Sequence, residues 1–218
     1  MLRESISKNA IILSIMAVAT TAVVAATYLS TKTNIADNRR AAEEKALLDI
    51  IPKSRHNNSM LDSVVAVNDE KYLGLRTEKK IHVAKQNNSV VGVIIPATAR
   101  DGYSGDIDII VGINTDGTVA GVRALNHRET PGLGDKVDRK KSDWIDSFTG
   151  KSLVNPGIER WKVKKDKGIF DQFTGATITP RAVTNAVKQA LLYFEENREQ
   201  ILKTLSDSEL AQSGDNNG

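Results

Sequence analysis

The chain has 218 residues, of which 40% are hydrophobic and 26% charged, as in an ordinary globular protein. Its formal net charge is +3, but the basic residues are interspersed with acidic ones, so there is no basic stripe of the kind that binds nucleic acid. It contains no cysteine, which excludes disulfides, thiolate nucleophiles and Cys-ligated metal clusters. The three histidines do not pair at a metal-ligand spacing, so no metal site is expected. Any redox chemistry must come from an organic cofactor or a partner protein.

An apolar segment near the N-terminus predicts a membrane anchor. No charged residue lies between Asn9 and Thr31. Twenty helical residues span about 30 Å, the hydrocarbon thickness of a bilayer, so residues 1–31 are predicted to be a short tail and a single transmembrane helix. The alternative is a cleaved signal peptide, whose apolar region is shorter, and length favours the retained anchor. Basic residues flank both ends, but the short N-terminal tail predicts a domain outside the cytoplasm.

A second helix is predicted directly after the anchor, within residues 32–53. Residues Ala36–Ile51 combine strong helix formers with apolar residues at helical spacing, and Pro52 would end the helix. We interpret this juxtamembrane helix as a spacer between the bilayer and the domain.

The remaining chain predicts one α+β domain, residues 54–205, built on antiparallel sheet with flanking helices, followed by a disordered tail, 206–218. No Gly-x-Gly-x-x-Gly follows a strand, so a Rossmann unit is not supported. The predicted strands are Ile81–Lys85, Ser89–Pro96, Asp106–Asn114, 118–125 and Arg160–Lys164, with turns at Asn87-Asn88 and Thr115-Asp116-Gly117. The predicted helices are Ser142–Phe148 and Arg181–Thr204, the second with Thr179 as N-cap and Pro180 at its first position.

Two short segments carry the functional signal. The segment His127–Gly134 (HRETPGLG) follows the predicted hairpin, and Asp171–Thr179 (DQFTGATIT) leads into the C-terminal helix. In the second, two hydroxyls flank a Gly-Ala turn close to a helix N-terminus, where free amides and the helix dipole favour a phosphate. Taken separately, each segment is more consistent with an ordinary structural element, a surface loop or a turn with a capping threonine. Neither forms a Ser/His/Asp constellation for hydrolysis.

The two segments in this order, together with Gly102–Asp106 and the hairpin Val111–Gly117, resemble the FMN-binding domain of the RnfG family, also called RsxG. These proteins are subunits of the Rnf ion-translocating electron-transport complex. The related NqrC subunits of the sodium-translocating NADH:quinone reductase share the pattern. The resemblance extends over about Gly102 to Val183 and fits the N-terminal anchor.

The resemblance implies a covalent FMN. In this family a flavin transferase joins FMN by a phosphoester to the second hydroxyl residue of the Thr-Gly-Ala-Thr motif, here Thr177. Asp171 matches the acidic residue that the transferase recognises. The other candidate cofactor-binding residues are Thr174, Gly175 and Ala176 in the motif, and Glu129, Thr130, Leu133 and Gly134 in the preceding loop. His127, Lys162 and Lys164 are candidate hydrogen-bond donors to the flavin.

The implied function is an electron-carrier subunit that relays electrons between other subunits of an Rnf complex. It would lie in the inner membrane with its domain on the periplasmic side, and it would have no catalytic residues of its own. Two alternatives stay open: an NqrC-type subunit, and a membrane-anchored binding module without a cofactor.

Overall fold

The structure is a computed structural model that describes residues 2–87 and 89–213. Residues up to Lys45 and residues from Ala46 onward form two compact units. The helices and strands in chain order are α1 (Leu2–Leu48), β1 (Val64–Val67), β2 (Lys79–Gln86), β3 (Ser89–Ala99), β4 (Ile107–Asn114), β5 (Val119–Asn126) and α2 (Ile178–Ser213). Four short 3₁₀ helices lie between β5 and α2, at Gly134–Val137, Asp143–Phe148, Ile158–Arg160 and Lys164–Asp166.

The first unit is helix α1 as far as Lys45, and its segment Ile6–Lys32 is long and apolar enough to cross a membrane. Hydroxyl side chains within it donate to carbonyls of the same helix, as Thr20 Oγ1 does to Met16 O at 2.9 Å. That internal pairing reduces the cost of a hydroxyl in hydrocarbon. The helix continues into the predicted juxtamembrane helix without a break and ends at Leu48, before the predicted end at Ile51.

The second unit is built on a five-stranded antiparallel meander in the order β1-β2-β3-β4-β5, which confirms the predicted fold class. The predicted β4–β5 turn forms: Asn114 N donates to Thr118 O at 2.8 Å, and Gly117 has φ +84°. At the β2–β3 turn Asn87 is left-handed with φ 48°, and Asn88 lies outside the described residues. Strand β1 was not predicted, because it has only four residues, and only Val67 among them is buried.

Both faces of the sheet are covered. On one face α2 buries the residues that the helical spacing singled out: Val183, Val187, Leu191 and Phe194, each at most 1% exposed. On the other face Leu47, Ile50 and Ile51 pack among sheet residues. A Cβ added to Gly112 would collide with Ile50 Cγ2, which explains the glycine inside that strand. The folded unit therefore begins at Ala46, upstream of the predicted boundary at 54, and the end of the supposed spacer belongs to the core.

Two predictions for the segment between β5 and α2 differ from the structure. Residues Arg160–Lys164 are not a strand. Trp161 and Val163 are both buried, but the chain turns back at Lys167, and Val163 makes only an isolated bridge to Phe170. The predicted helix Ser142–Phe148 is a 3₁₀ helix with Ser142 as its N-cap.

Helix α2 is longer at both ends than predicted. It begins at Ile178 rather than Arg181, so Thr179 is not its N-cap and Pro180 is its third residue. It continues past Thr204 to Ser213, where the sequence predicted a disordered tail from Ser206, and residues 214–218 lie outside the described chain.

Candidate functional site

Three segments distant in sequence line one cavity of about 280 Å³. They are the turn at Tyr103, the loop 129–134 and the start of α2. The lining residues are Tyr103, Glu129, Thr130, Leu133, Gly134, Gly175, Ala176, Thr177, Ile178 and Thr179. Seven of the eight predicted cofactor-binding residues are therefore brought together, and Thr174 is the one that does not line the cavity.

The Glu129 carboxylate joins these three segments. The side chain is only 5% exposed. Its Oε1 accepts a hydrogen bond from Ser104 N at 3.0 Å, and its Oε2 accepts one from the hydroxyl of the fully buried Thr179. Bonds to a carboxylate are stronger than bonds between neutral groups, so this buried acid holds the turn and the helix start against its own loop.

Two glycines leave room for that carboxylate. A Cβ at Gly134 would lie 2.7 Å from Glu129 Oε2 and 2.8 Å from Thr179 Oγ1. A Cβ at Gly102 would lie 3.0 Å from Glu129 Oε1 and would collide with Gly105 O. Any larger residue at either position would displace the acid or its partners.

The loop 129–134 presents an apolar side chain to the cavity. Its Pro-Gly turn is closed by the amides of Leu133 and Gly134, which both donate to Thr130 O at 3.1 Å. Leu133 is 42% exposed and lies against the Thr-Gly-Ala-Thr turn, where a Cβ at Gly175 would be 3.5 Å from Leu133 Cδ2. Leu133 thus forms an apolar wall at the mouth of the cavity.

Thr177 occupies the N-cap position of α2. Its carbonyl accepts the first bond of the helix, from Arg181 N at 3.3 Å. An N-cap threonine ordinarily accepts with its hydroxyl from the amide of the second or third helical residue, but the third residue here is Pro180, which has no N–H. Within residues 2–87 and 89–213 the Thr177 hydroxyl makes no hydrogen bond to protein.

The backbone amides beside that hydroxyl are also available. Within the described chain, the N–H groups of Ile178 and Thr179 donate to no protein acceptor. Free first-turn amides together with the positive end of the helix dipole stabilise a phosphate. The start of α2 therefore offers both a hydroxyl to esterify and donors for a phosphate, which fits the phosphate end of an FMN.

The remaining predicted residues lie outside the cavity. Thr174 is exposed in the turn that Ala176 N closes by donating to Phe173 O at 3.1 Å. Asp171 is also exposed, and its carboxylate pairs with Lys164 Nζ at 2.6 Å. Its carbonyl accepts from Trp144 Nε1 at 2.7 Å.

The three candidate donors are not part of the site. His127 Nδ1 accepts from Glu129 N at 3.3 Å, Lys164 is paired with Asp171, and Lys162 lines a neighbouring cavity. None of the three lines the cavity at Thr177, so the structure gives no support to their proposed role as donors to the flavin.

Sequence reasoning missed two contributors to the site. Tyr103, 69% exposed, lines the cavity, and Ser104 supplies the amide to Glu129. The run Gly102–Asp106 was already part of the family pattern. Its two glycines were the available signal, since Gly102 has no room for a Cβ and Gly105 has φ +115°.

Comparisons with known proteins agree with this geometry. Residues 102–192 match the family model of the FMN-binding domain, and residues 1–50 match that of the RnfG N-terminal region. The G subunit of the ion-translocating oxidoreductase complex of Pseudoalteromonas atlantica is 42% identical over 98% of this chain and 100% of its own length. The proteins of the same name from Vibrio atlanticus and Pseudomonas aeruginosa are 46% and 44% identical, over 91% and 92% of this chain and 95% and 94% of their own.

Among solved structures, NqrC of Shewanella oneidensis has a TM-score of 0.45 and 20% identity, covering 66% of this chain and 74% of that chain, a likeness too distant to bear on the site. The assignment comes from the close relatives, which extend over nearly the whole chain. The chain belongs to the RnfG family of ion-translocating oxidoreductase complex subunits and contains the FMN-binding domain of that family.

Proposed function

We propose that this protein is an electron-carrier subunit of an ion-translocating oxidoreductase complex and that its FMN is attached through a phosphoester to Thr177. The observation that carries the proposal is the state of Thr177, whose hydroxyl is unpartnered in the described chain and lies beside two free amides at a cavity. When bound, FMN supplies the one- and two-electron chemistry that a chain without cysteine lacks.

In this proposal different residues of the cavity contact different parts of the cofactor. The amides of Ile178 and Thr179 would hold the phosphate, and the side chains of Leu133 and Tyr103 offer apolar surface to the ring. The cavity volume of about 280 Å³ is slightly below the usual range of about 300–1,000 Å³ for ligand pockets. We therefore expect the flavin to stay partly exposed at the protein surface, where a partner can exchange electrons with it.

Attachment requires an enzyme, and the exposed face of the motif supports recognition by a flavin transferase. Asp171 and Thr174 are both exposed, on a turn that the Trp144–Asp171 hydrogen bond connects to the aromatic core. In this proposal the transferase contacts Asp171 while Thr177 receives the FMN phosphate.

Helix α1 and the family support a membrane location. In this proposal residues Ile6–Lys32 anchor the chain in the inner membrane, the domain lies on the periplasmic side, and the other subunits of the complex are its partners. A domain on the periplasmic side cannot recapture an FMN that has dissociated. A covalent bond therefore takes the place of tight reversible binding. A reporter fused at the C-terminus tests the orientation: a periplasmic reporter should be active, and activity of a cytoplasmic reporter would contradict the assignment.

The decisive experiment compares Thr177→Ala with Thr177→Ser, each co-expressed as the full chain with the flavin transferase. Wild type and Thr177→Ser should show flavin fluorescence on a denaturing gel, because both keep a hydroxyl at the attachment position. Thr177→Ala should show none, and mass spectrometry should place the FMN of the wild type on the peptide containing Thr177. Fluorescence retained in Thr177→Ala would contradict Thr177 as the attachment site. A colourless wild type would favour the cofactor-free binding module.

A further inference from the structure

Two more cavities adjoin the candidate flavin cavity. One, of about 470 Å³, includes Ser104 and Gly105, which directly follow the Tyr103 that lines the flavin cavity. The other, of about 570 Å³, shares Ile178 with the flavin cavity. The proposed function uses neither of them, although each adjoins the flavin cavity through a shared or neighbouring residue.

The first flanking cavity is predominantly basic. Its acids are already engaged: Asp106 pairs with Arg100 at 2.9 Å, and Asp108 accepts the Thr98 hydroxyl at 2.8 Å. Three further basic residues line it: Arg76, Lys79 and Arg128. All three are exposed, and within the described chain Lys79 and Arg128 have no ionic partner, whereas Arg76 has only a distant one, Glu70 at 3.9 Å.

The residues lining the second flanking cavity also carry a net positive charge. Arg181 and Asp166 pair with each other at 2.6 Å. That leaves Lys162 and Lys188 facing only one further acid among the lining residues, Asp101. Neither lysine forms a salt bridge among the residues that the structure describes.

Together the two cavities are lined by seven basic and four acidic residues. This excess of three positive charges equals the formal charge of the entire chain, so the rest of the protein is neutral in sum. The flavin cavity, which adjoins both basic cavities, presents three exposed apolar side chains: Tyr103, Leu133 and Ile178, at 69%, 42% and 44% exposure. An apolar centre with a charged rim is the usual anatomy of a protein interface.

We infer that this face, the flavin cavity with its two basic flanks, docks an acidic protein: an electron-transfer partner with carboxylates around its own redox centre. The inference rests on the proposed function, because electron transfer to or from the FMN is the reason for such a contact. In each encounter one electron passes between the bound FMN and the partner's centre, one being oxidised as the other is reduced, and no atom is transferred. A protein surface can follow concave cavities of this size, whereas the surface of an anionic bilayer is flat.

The experiment uses two forms of one acceptor, native cytochrome c, which is basic, and succinylated cytochrome c, which is acidic. The full chain is reconstituted in phosphatidylcholine vesicles, either flavin-free as Thr177→Ala or flavin-loaded and photoreduced. Binding to the flavin-free chain is measured by co-sedimentation of heme absorbance. With the loaded chain, one electron reduces the heme iron from Fe(III) to Fe(II), and the rate of that reduction is the second readout.

At low ionic strength the succinylated cytochrome should bind more tightly and be reduced about tenfold faster than the native one, and high salt should abolish the difference. The charge-reversal pairs Lys79→Glu/Arg128→Glu and Lys162→Glu/Lys188→Glu should each remove most of this preference. The control pair Lys140→Glu/Lys151→Glu changes net charge equally but lies outside both cavities, and it should leave the preference intact.

Three outcomes would overturn the inference. They are no preference between the two cytochromes, equal loss of preference in the control pair, or protection of Lys79, Lys162 and Lys188 from an amine-reactive reagent when phosphatidylglycerol is added to the vesicles without any cytochrome, which would identify the face as a bilayer-contacting surface. Failure of the proposed function has a different signature. In that case the chain carries no flavin, while the flavin-free binding preference is unchanged.

Discussion

Replacing Gly134 by alanine should damage the site through the buried acid beside it. The new Cβ would lie 2.7 Å from Glu129 Oε2 and 2.8 Å from Thr179 Oγ1, so one of these groups must move. Overpacking a buried site costs about 1–3 kcal/mol. Losing the hydrogen bond from the Thr179 hydroxyl to the carboxylate adds about 1.5–3 kcal/mol. We expect a loss of about 2.5–6 kcal/mol in the free energy of unfolding.

Gly132 in the same loop is the matched control. It has φ +78° and no neighbour within 4 Å of an added Cβ, so Gly132→Ala introduces only backbone strain, about 1–2 kcal/mol. Urea unfolding of the full chain in detergent, followed by the fluorescence of the two tryptophans, measures both variants. Flavin incorporation should fall in Gly134→Ala alone. If Gly132→Ala proves as costly as Gly134→Ala, the crowding at Glu129 is not what requires the glycine.

Three other changes test separate features of the structure. Pro180→Ala restores an amide that the Thr177 hydroxyl can accept from, so flavin incorporation by the transferase should slow several-fold; an unchanged initial rate would argue against that role for the proline. Glu129→Ala leaves a buried amide and a buried hydroxyl without their acceptor and should cost about 2–5 kcal/mol in urea unfolding, whereas Glu129→Gln, which keeps one acceptor oxygen, should cost less. The Thr118 hydroxyl and amide hold the pKa of the Asp116 carboxyl below its ordinary value, so this stabilisation is present above about pH 3.9 and is lost as the pH falls through the lower folded pKa. The stability difference between wild type and Asp116→Asn should therefore narrow on acidification, and a difference that widens would contradict the assignment.

Features set by neighbouring residues were predictable from the sequence. The turn Thr115-Asp116-Gly117 lies between two β-rich runs, and its geometry depends on a glycine at positive φ, so the hairpin forms where predicted. The core face of α2 likewise follows from spacing alone. The cavity residues were predicted by resemblance to a family, not by local chemistry.

Features that depend on distant contacts were not predictable. The Glu129–Thr179 hydrogen bond joins residues 50 positions apart, and nothing near either residue announces it. Leu47 and Ile50 have the spacing of any amphipathic helix end, so the sequence alone could not tell a spacer from a segment packed on a sheet. The Thr179-Pro180 pair is a strong local helix-start signal, so the sequence predicted the N-cap at Thr179, whereas the N-cap in the structure is Thr177.

The cavity is assembled from segments at 103, 129–134 and 175–179, and this spacing has a consequence for biogenesis. A ribosome or translocon delivers the chain from its N-terminus, so the first two segments emerge long before the third. The cavity cannot exist until α2 has been delivered and has docked, because Thr179 holds Glu129 only in that state. Contacts between distant residues form slowly, since loop closure must precede them. A chain truncated before Thr177 therefore lacks both the attachment residue and the helix start that completes the cavity, so a completed flavin site indicates that α2 has docked.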